Sequence, residues 1–121
     1  MPRILLVDDE ENVRKLYRLE LEDEGHEVVS AVGGDDALRH VESTHFDLVI
    51  LDIKLERESG LDVLRRIKEL QPHLSVILNS GYTTYRDDFS SWLADAYLVK
   101  SSDTRELFEA IRGILEPRTV G

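Results

Sequence analysis

The chain alternates short apolar runs with longer segments in which apolar residues recur at helical spacing. Each run has about the length of a β-strand and is rich in β-branched residues. The five runs are RILLV (3–7), EVVSA (27–31), DLVILD (47–52), SVILNS (75–80) and AYLVK (96–100). Because these runs are apolar without strict alternation, we expect a parallel sheet that is covered on both faces.

The segments between and after the runs predict five helices, because their apolar residues fall on one side of a helix. The stripes of the first and last helices are Val13, Leu16, Tyr17 and Leu21, and Leu107, Phe108, Ile111 and Leu115. Ser59 with Asp62 predicts a capping box before the third helix. Asp103 with Glu106 predicts a similar start for the last. The stripe in 84–94 is the weakest, so we expect the fourth helix to be short or mobile.

Five strands alternating with five helices predict one doubly wound α/β domain. The domain occupies residues 1–121, with 117–121 expected as a tail or the start of a linker. In folds of this class, functional sites form at the carboxyl ends of the strands, near the point where the strand order reverses. The residues that follow the strands are therefore the first candidates for a site.

Polar side chains end four of the five predicted strands. Asp8 and Asp9 follow the first strand, Asp52 ends the third, Ser80 ends the fourth and Lys100 ends the fifth. Carboxylates a few ångströms apart repel one another, so three of them at one edge need cations nearby. Lys100 is one such cation, and a divalent metal with oxygen ligands and several waters is a second. The sequence therefore predicts a magnesium site, with manganese as its substitute.

These residues, at these strand ends, resemble the receiver (REC) domains of two-component response regulators, and the resemblance covers essentially the whole chain. It implies a flavodoxin-like, CheY-like fold in which five parallel strands have the order 2-1-3-4-5 and helices cover both faces. It also implies that Asp52 accepts a phosphoryl group from the phosphohistidine of a sensor histidine kinase or phosphotransfer protein. The implied magnesium ligands are Asp8, Asp9, Asp52 and the backbone carbonyl of Lys54.

The same resemblance assigns roles to further residues near the acceptor. Ser80 and Lys100 complete the catalytic set, and Tyr97 matches an aromatic residue that moves inward when the Ser80 hydroxyl meets the phosphoryl group. Lys54 and Tyr82 flank the approach of water, so both are expected to slow hydrolysis of the phosphoryl group. The signal would leave through the face formed by the fourth and fifth predicted helices and the fifth strand, which is also a candidate dimer contact. The chain is thus expected to be a signalling domain that assists its own phosphorylation and dephosphorylation, and not an enzyme.

Simpler interpretations of single residues stay open at this point. DDEEN (8–12) by itself is typical of a helix start, because acids in a first turn interact favourably with the helix dipole. Tyr97 could be an ordinary packed aromatic residue of a strand. The chain also departs from the family where Ser101 and Glu56 stand in place of the usual prolines. We expect a trans bond between Lys100 and Ser101, because a cis bond before serine costs about 3 kcal/mol.

Two other classes of function compete with the receiver interpretation. A pseudo-receiver would keep the fold as an interaction module without being phosphorylated, and the missing prolines are its best support. A flavodoxin-like cofactor binder is disfavoured, because an acidic rim would repel phosphate groups and no Gly-rich loop follows the first strand. GGDD (33–36) lacks the spacing of such a loop and instead predicts a turn with a helix cap.

The composition limits the location and the partners. No apolar run approaches the ~20 residues of a membrane span, and 33% of the residues are charged. The opening PRILLVDD lacks the apolar region of a signal peptide, which favours a cytoplasmic location. A net charge of −10 argues against direct binding of nucleic acid or anionic membranes and favours basic partner faces. The expected partners are a sensor histidine kinase or phosphotransfer protein, and an output domain or downstream protein.

Overall fold

A computed structural model describes residues 1–81, 93–100 and 104–115 of the chain. Several sequence predictions concern residues outside these ranges. They are most of the fourth helix in 84–94, the role of Tyr82, the peptide bond between Lys100 and Ser101, the cap residue Asp103, and the tail 117–121.

Five parallel strands form one sheet with the order β2-β1-β3-β4-β5. The strands are β1 (Arg3–Val7), β2 (Glu27–Ala31), β3 (Leu48–Leu51), β4 (Ser75–Ser80) and β5 (Ala96–Val99). Each agrees with its predicted run to within one residue at either end. Because β1 lies between β2 and β3, the strand order reverses at the first strand. The predicted doubly wound fold and its strand order are confirmed.

Four helices lie in the described part of the chain: α1 (Glu11–Asp23), α2 (Gly34–Ser43), α3 (Gly60–Leu70) and α4 (Arg105–Leu115), the last being the fifth predicted helix. Ser59 caps α3 as predicted, since its side-chain oxygen accepts a hydrogen bond of 3.1 Å from the Leu61 N–H. Asp62 pairs with Arg65 one turn further along the helix. Among the described helices, none combines the length and the apolar composition that a membrane crossing requires.

Two hydrophobic clusters lie on opposite faces of the sheet, because successive side chains of a strand point to opposite sides. Leu5 and Val7 pack with residues of α2 and α3 on one face. Ile4 and Leu6 pack with residues of α1 and α4 on the other. Every residue of the interior strand β1 beyond Arg3 is buried. This two-sided burial is why the strands read as continuous apolar runs in the sequence.

Helix α1 buries a narrower stripe than its sequence predicts. Tyr17 and Leu21 are buried and Val13 packs partly against them, but Leu16 is 50% exposed and Leu19 is 70% exposed. Each helical residue turns the chain by about 100°, so residues four apart centre the buried stripe and Leu16 falls to one side of it. The prediction that Leu16 belongs to the buried face is wrong. Leu16 and Leu19 instead form an exposed apolar pair.

Candidate functional site

Backbone hydrogen bonds continue the strand ladders into the polar residues beyond them. The Asp8 N–H donates to the Ala31 carbonyl at 3.2 Å, and the Asp52 N–H donates to the Val7 carbonyl at 3.0 Å. The Lys100 N–H donates to the last carbonyl of β4 at 2.6 Å. These bonds hold the first residue after three strands in the register of the sheet. The side chains that follow the strands consequently meet at one edge.

The three predicted acids form a cluster at this edge. One carboxylate oxygen from each of Asp8, Asp9 and Asp52 lies within 4.8 Å of those of the other two. Asp8 and Asp52 are 2% and 6% exposed, whereas Asp9 is half-buried. Three anions this close repel one another strongly unless cations neutralise them. Their oxygen-only donor set, open to solvent on the Asp9 side, fits a hard divalent cation such as magnesium or manganese.

Lys100 supplies a positive charge inside this cluster. Its Nζ donates to Oδ2 of Asp8 at 2.8 Å and to Oδ2 of Asp52 at 3.1 Å. The Lys100 side chain is 19% exposed, so both ion pairs are largely shielded from water. Charge-assisted hydrogen bonds in such surroundings are stronger than exposed ones. One ammonium therefore serves two buried carboxylates and leaves the cluster with a net negative charge.

Burial and charge shift the protonation equilibria of this pair. Burial raises the pKa of Asp52 above its ordinary value; the Lys100 ammonium opposes this rise and the Asp8 carboxylate adds to it. Burial lowers the pKa of Lys100, but the neighbouring Asp8 and Asp52 outweigh it and keep that pKa raised. The pKa of Asp52 stays raised despite the ion pair because the effect of burial outweighs that of the Lys100 ammonium. A further cation at the cluster would favour the ionised carboxylate.

The residues after β1 serve both as a helix start and as part of the cluster. Oδ1 of Asp8 accepts a hydrogen bond of 2.9 Å from the N–H of Glu10, which is the N-cap residue of α1. The Asp8 carbonyl accepts a bond of 2.7 Å from Nη1 of Arg14. DDEEN is thus a helix start and an acidic site together. Arg14 was not among the predicted residues; its position in the first turns of the helix after the acids is the sequence signal that could have indicated it.

The loop after β3 turns tightly beside the acceptor candidate. The Lys54 N–H lies 3.4 Å from Oδ1 of Asp52, and a bridge between Lys54 and Ser59 closes the loop. The Gly60 N–H donates to the Ile53 carbonyl at 2.5 Å. A Cβ on Gly60 would overlap the Asp52 carbonyl oxygen and lie 2.7 Å from Cα of Ile53. A side chain at residue 60 would therefore displace the backbone of Asp52.

Ser80 and Tyr97 lie on the same face of adjacent strands. In the register of β4 and β5, Leu78 is opposite Tyr97 and Ser80 is opposite Val99, and residues two apart share a face. Ser80 is fully buried. Tyr97 packs partly buried against the cluster on the α2 and α3 side of the sheet. The two predicted switch residues are thus neighbours, whereas their coupling and the role of Tyr82 stay predictions.

A buried polar contact that the sequence analysis missed lies beside Ser80. Nδ2 of Asn79 donates to the Tyr17 hydroxyl at 3.2 Å, on the opposite face of β4 from Ser80. Both side chains are buried. The contact joins the end of β4 to the middle of α1. An amide near the end of an otherwise apolar strand is the sequence signal that could have indicated it.

Comparison with known protein families supports the interpretation drawn from this geometry. A family model described as the response regulator receiver domain matches residues 4–112. The chain belongs to this family. A receiver domain is a signalling domain. The acidic cluster and Lys100 therefore lie in a signalling domain, at one edge of its sheet.

Named relatives give the same picture. This receiver domain is 37% identical to the response regulator ArlR of Staphylococcus aureus over 117 residues, which cover 95% of this chain and 53% of ArlR. The chain thus spans about half the length of the curated relatives it matches. It is 45% identical to the response regulator TrrA of Thermotoga maritima, solved in complex with Mg²⁺-BeF, with a TM-score of 0.92 over 95% of this chain and 100% of that one.

The structure of the histidine kinase ThkA in complex with TrrA also matches, with a TM-score of 0.90 and 45% identity, and covers 96% of this chain and 100% of that one. The matches extend over nearly the whole described sheet and its helices. They therefore include each strand end that contributes to the acidic cluster.

Proposed function

We propose that this receiver domain accepts a phosphoryl group on Asp52 from the phosphohistidine of a sensor histidine kinase or phosphotransfer protein. The observation that carries the proposal is the buried Asp52 carboxylate, which lies in a three-acid cluster and bonds Lys100. The complexes of TrrA with Mg²⁺-BeF and with the kinase ThkA support both the metal and the donor. We also propose a cytoplasmic location for the domain.

In the proposed transfer, a carboxylate oxygen of Asp52 attacks the phosphorus atom of the phosphohistidine. A P–O bond forms as the P–N bond breaks, and the imidazole leaves with the electron pair and then holds a proton on one nitrogen. The reaction needs in-line positioning and neutralisation of the phosphoryl oxygens more than covalent assistance. Lys100 Nζ, 3.1 Å from Oδ2 of Asp52, can supply part of that positive charge. The domain in this way assists its own modification.

A divalent metal, magnesium or manganese, would be held by Asp8, Asp9, Asp52 and the backbone carbonyl of Lys54. When bound, it would supply the positive charge that the three carboxylates lack and that the phosphoryl oxygens require. The hydrogen bond from the Glu10 N–H fixes the orientation of the Asp8 carboxylate. The Asp52 carboxylate is oriented by Lys100 in the same way.

The output of the switch is proposed to run through Ser80 and Tyr97. The new phosphoryl oxygens would attract the Ser80 hydroxyl, and Tyr97 would turn inward on the same face of the sheet. This changes the surface formed by β5, α4 and the segment before β5, which an output domain, a downstream protein or a second copy could contact. Lys54 and Tyr82 are proposed to restrict the approach of water and so to prolong the phosphorylated state.

The test is incubation with acetyl phosphate, with and without magnesium, followed by intact mass spectrometry. The wild type should gain the mass of one phosphoryl group in the presence of magnesium and none with EDTA. Asp52→Ala should gain none, whereas Asp47→Ala, at an exposed acid before β3, should behave like the wild type. Phosphorylation that survives Asp52→Ala would reject the acceptor assignment. A wild type that is never modified would favour the pseudo-receiver.

A further inference from the structure

A glutamate from the loop after β3 reaches across to the start of α2. Oε2 of Glu58 accepts a hydrogen bond of 2.8 Å from the N–H of Gly34, the first residue of the helix. The N-cap residue Gly33 has no side chain to cap the helix. The first N–H groups of a helix need acceptors from outside it. Glu58 supplies one of these acceptors and thereby links two loops that are distant in sequence.

Gly34 leaves room for this contact because it has no side chain. A Cβ at residue 34 would overlap Oε1 of Glu58 and lie 2.8 Å from Cγ2 of Val63. Gly34 is buried and Glu58 is half-buried, so the bond is partly shielded from water. The second glycine of GGDD, which the proposed function does not use, thus makes room for the Glu58 carboxylate.

The link borders the acidic cluster. We call residues 52–59 the acceptor loop, since it begins with Asp52 and contains Lys54. Ile53 and Leu55 anchor its first half by burial, at 1% and 5% exposure. Glu58 fixes its second half to α2. A groove of about 490 Å³ runs between these elements, and both Asp9 and Glu58 line it.

We infer that Glu58 is a positioning residue, whose bond to Gly34 holds the acceptor loop in the arrangement that metal binding and phosphorylation require. Its effect on the metal rests on the proposed function. The link itself is a property of the metal-free chain and can be measured separately. Without it, the second half of the acceptor loop would sample other conformations. This motion would reach Lys54 through the bridge between Lys54 and Ser59, and so would change the position of Lys54 relative to Asp52.

The first experiment measures amide hydrogen exchange by NMR in the metal-free chain. Glu58→Ala should speed exchange of the Gly34 N–H about tenfold, since it loses a charge-assisted bond, and should speed exchange in the acceptor loop. Glu58→Gln retains an acceptor oxygen and should stay near the wild type. Gly34→Ala leaves the glutamate intact but expels its carboxylate, so it should match Glu58→Ala in the loop. Unchanged exchange in both alanine variants would overturn the inference.

The second experiment separates positioning from charge by calorimetric titration with magnesium. Glu58→Ala should weaken magnesium binding roughly threefold, less than the loss typical when a residue bonded directly to a metal ligand is replaced. Glu58→Gln should match Glu56→Gln, which removes the same charge from an exposed residue of the same loop. Equal weakening in Glu58→Gln and Glu58→Ala would show an effect of charge alone and reject the positioning role.

The two proposals fail in different ways. A wild type that binds no magnesium would reject the proposed function and, with it, the positioning role. Wild-type magnesium binding with unchanged affinity in Glu58→Ala would reject the positioning role and leave the proposed function standing.

Discussion

Replacing Gly60 with alanine would put a methyl group where the backbone of Asp52 already lies. The new Cβ would overlap the Asp52 carbonyl oxygen and come within 2.7 Å of Cα of Ile53. Neither the Asp52 backbone nor Ile53 can move without loss of stability. The Asp52 N–H is bonded to the Val7 carbonyl at 3.0 Å, and Ile53 is 1% exposed. Either α3 must move away from the sheet or the acceptor loop must shift.

Overpacking of this kind costs about 1–3 kcal/mol, and contact with fixed backbone puts Gly60→Ala near the upper limit. Alanine has a higher helix propensity than glycine, which offsets up to about 1 kcal/mol of this cost. The net expectation is a loss of about 2 kcal/mol in the free energy of unfolding. At about 0.25 kcal/mol per kelvin of unfolding entropy for a chain of this length, Tm should fall by about 8 °C.

The assay is urea and thermal unfolding followed by far-UV circular dichroism. Gly113→Ala is the matched control, because this glycine is exposed in α4 and has open space around its missing Cβ. The control should be stabilised by about 0.5 kcal/mol, since alanine restricts the unfolded chain more than glycine does. If Gly60→Ala were as stable as Gly113→Ala, the close approach of α3 to Asp52 would be refuted.

Two further predictions concern charge at the site and contact with the donor. In EDTA at pH 7, Asp52→Asn should be more stable than the wild type by about 1 kcal/mol, because burial raises the pKa of Asp52. This advantage should shrink as the pH falls through the raised pKa of Asp52, and it should vanish below the ordinary pKa of 3.8, where the Asp52 carboxyl is protonated in the folded and the unfolded chain. A difference that stays constant with pH in paired urea titrations would contradict the assignment. Leu16→Asp, on the exposed apolar pair with Leu19, should slow transfer from a phosphohistidine protein at least about tenfold and leave acetyl phosphate reactivity unchanged. The control Leu70→Asp alters a 44% exposed leucine at the far end of α3 and should affect neither, so equal slowing by both variants would rule out a specific contact on α1.

The sheet and the cluster could be predicted because each depends on a rule that acts along the chain. A two-sided parallel sheet requires continuous apolar strands, and the carboxyl ends of parallel strands meet at one edge. Asp8, Asp52 and Lys100 could therefore be brought together from their positions at strand ends alone. Their distances and the sharing of Lys100 by two acids depend on side-chain packing and required the structure.

Other features depend on which surfaces happen to be covered. The spacing of Leu16 fits a helix face, but whether that residue is buried depends on which side of α1 is turned towards the sheet. The bond from Glu58 to Gly34 joins residues 24 positions apart. Nothing local in either segment signals the other. Such contacts follow from the approach of two loops, which periodicity does not encode.

The five strands differ in how firmly they are enclosed, and this divides the site into two parts. All residues of β3, which carries Asp52 at its end, are buried, whereas all four residues of β5, at the edge of the sheet, are only partly covered. Elements with less buried surface open at lower free energy. Asp52, the proposed nucleophile, thus follows a strand that is buried throughout, whereas Lys100 and Tyr97 belong to an edge strand that is only partly covered. Under the proposed function, a phosphoryl group on Asp52 would deform the edge of the sheet before it disturbs the centre, so that phosphoryl transfer and readout would have separate mechanical supports.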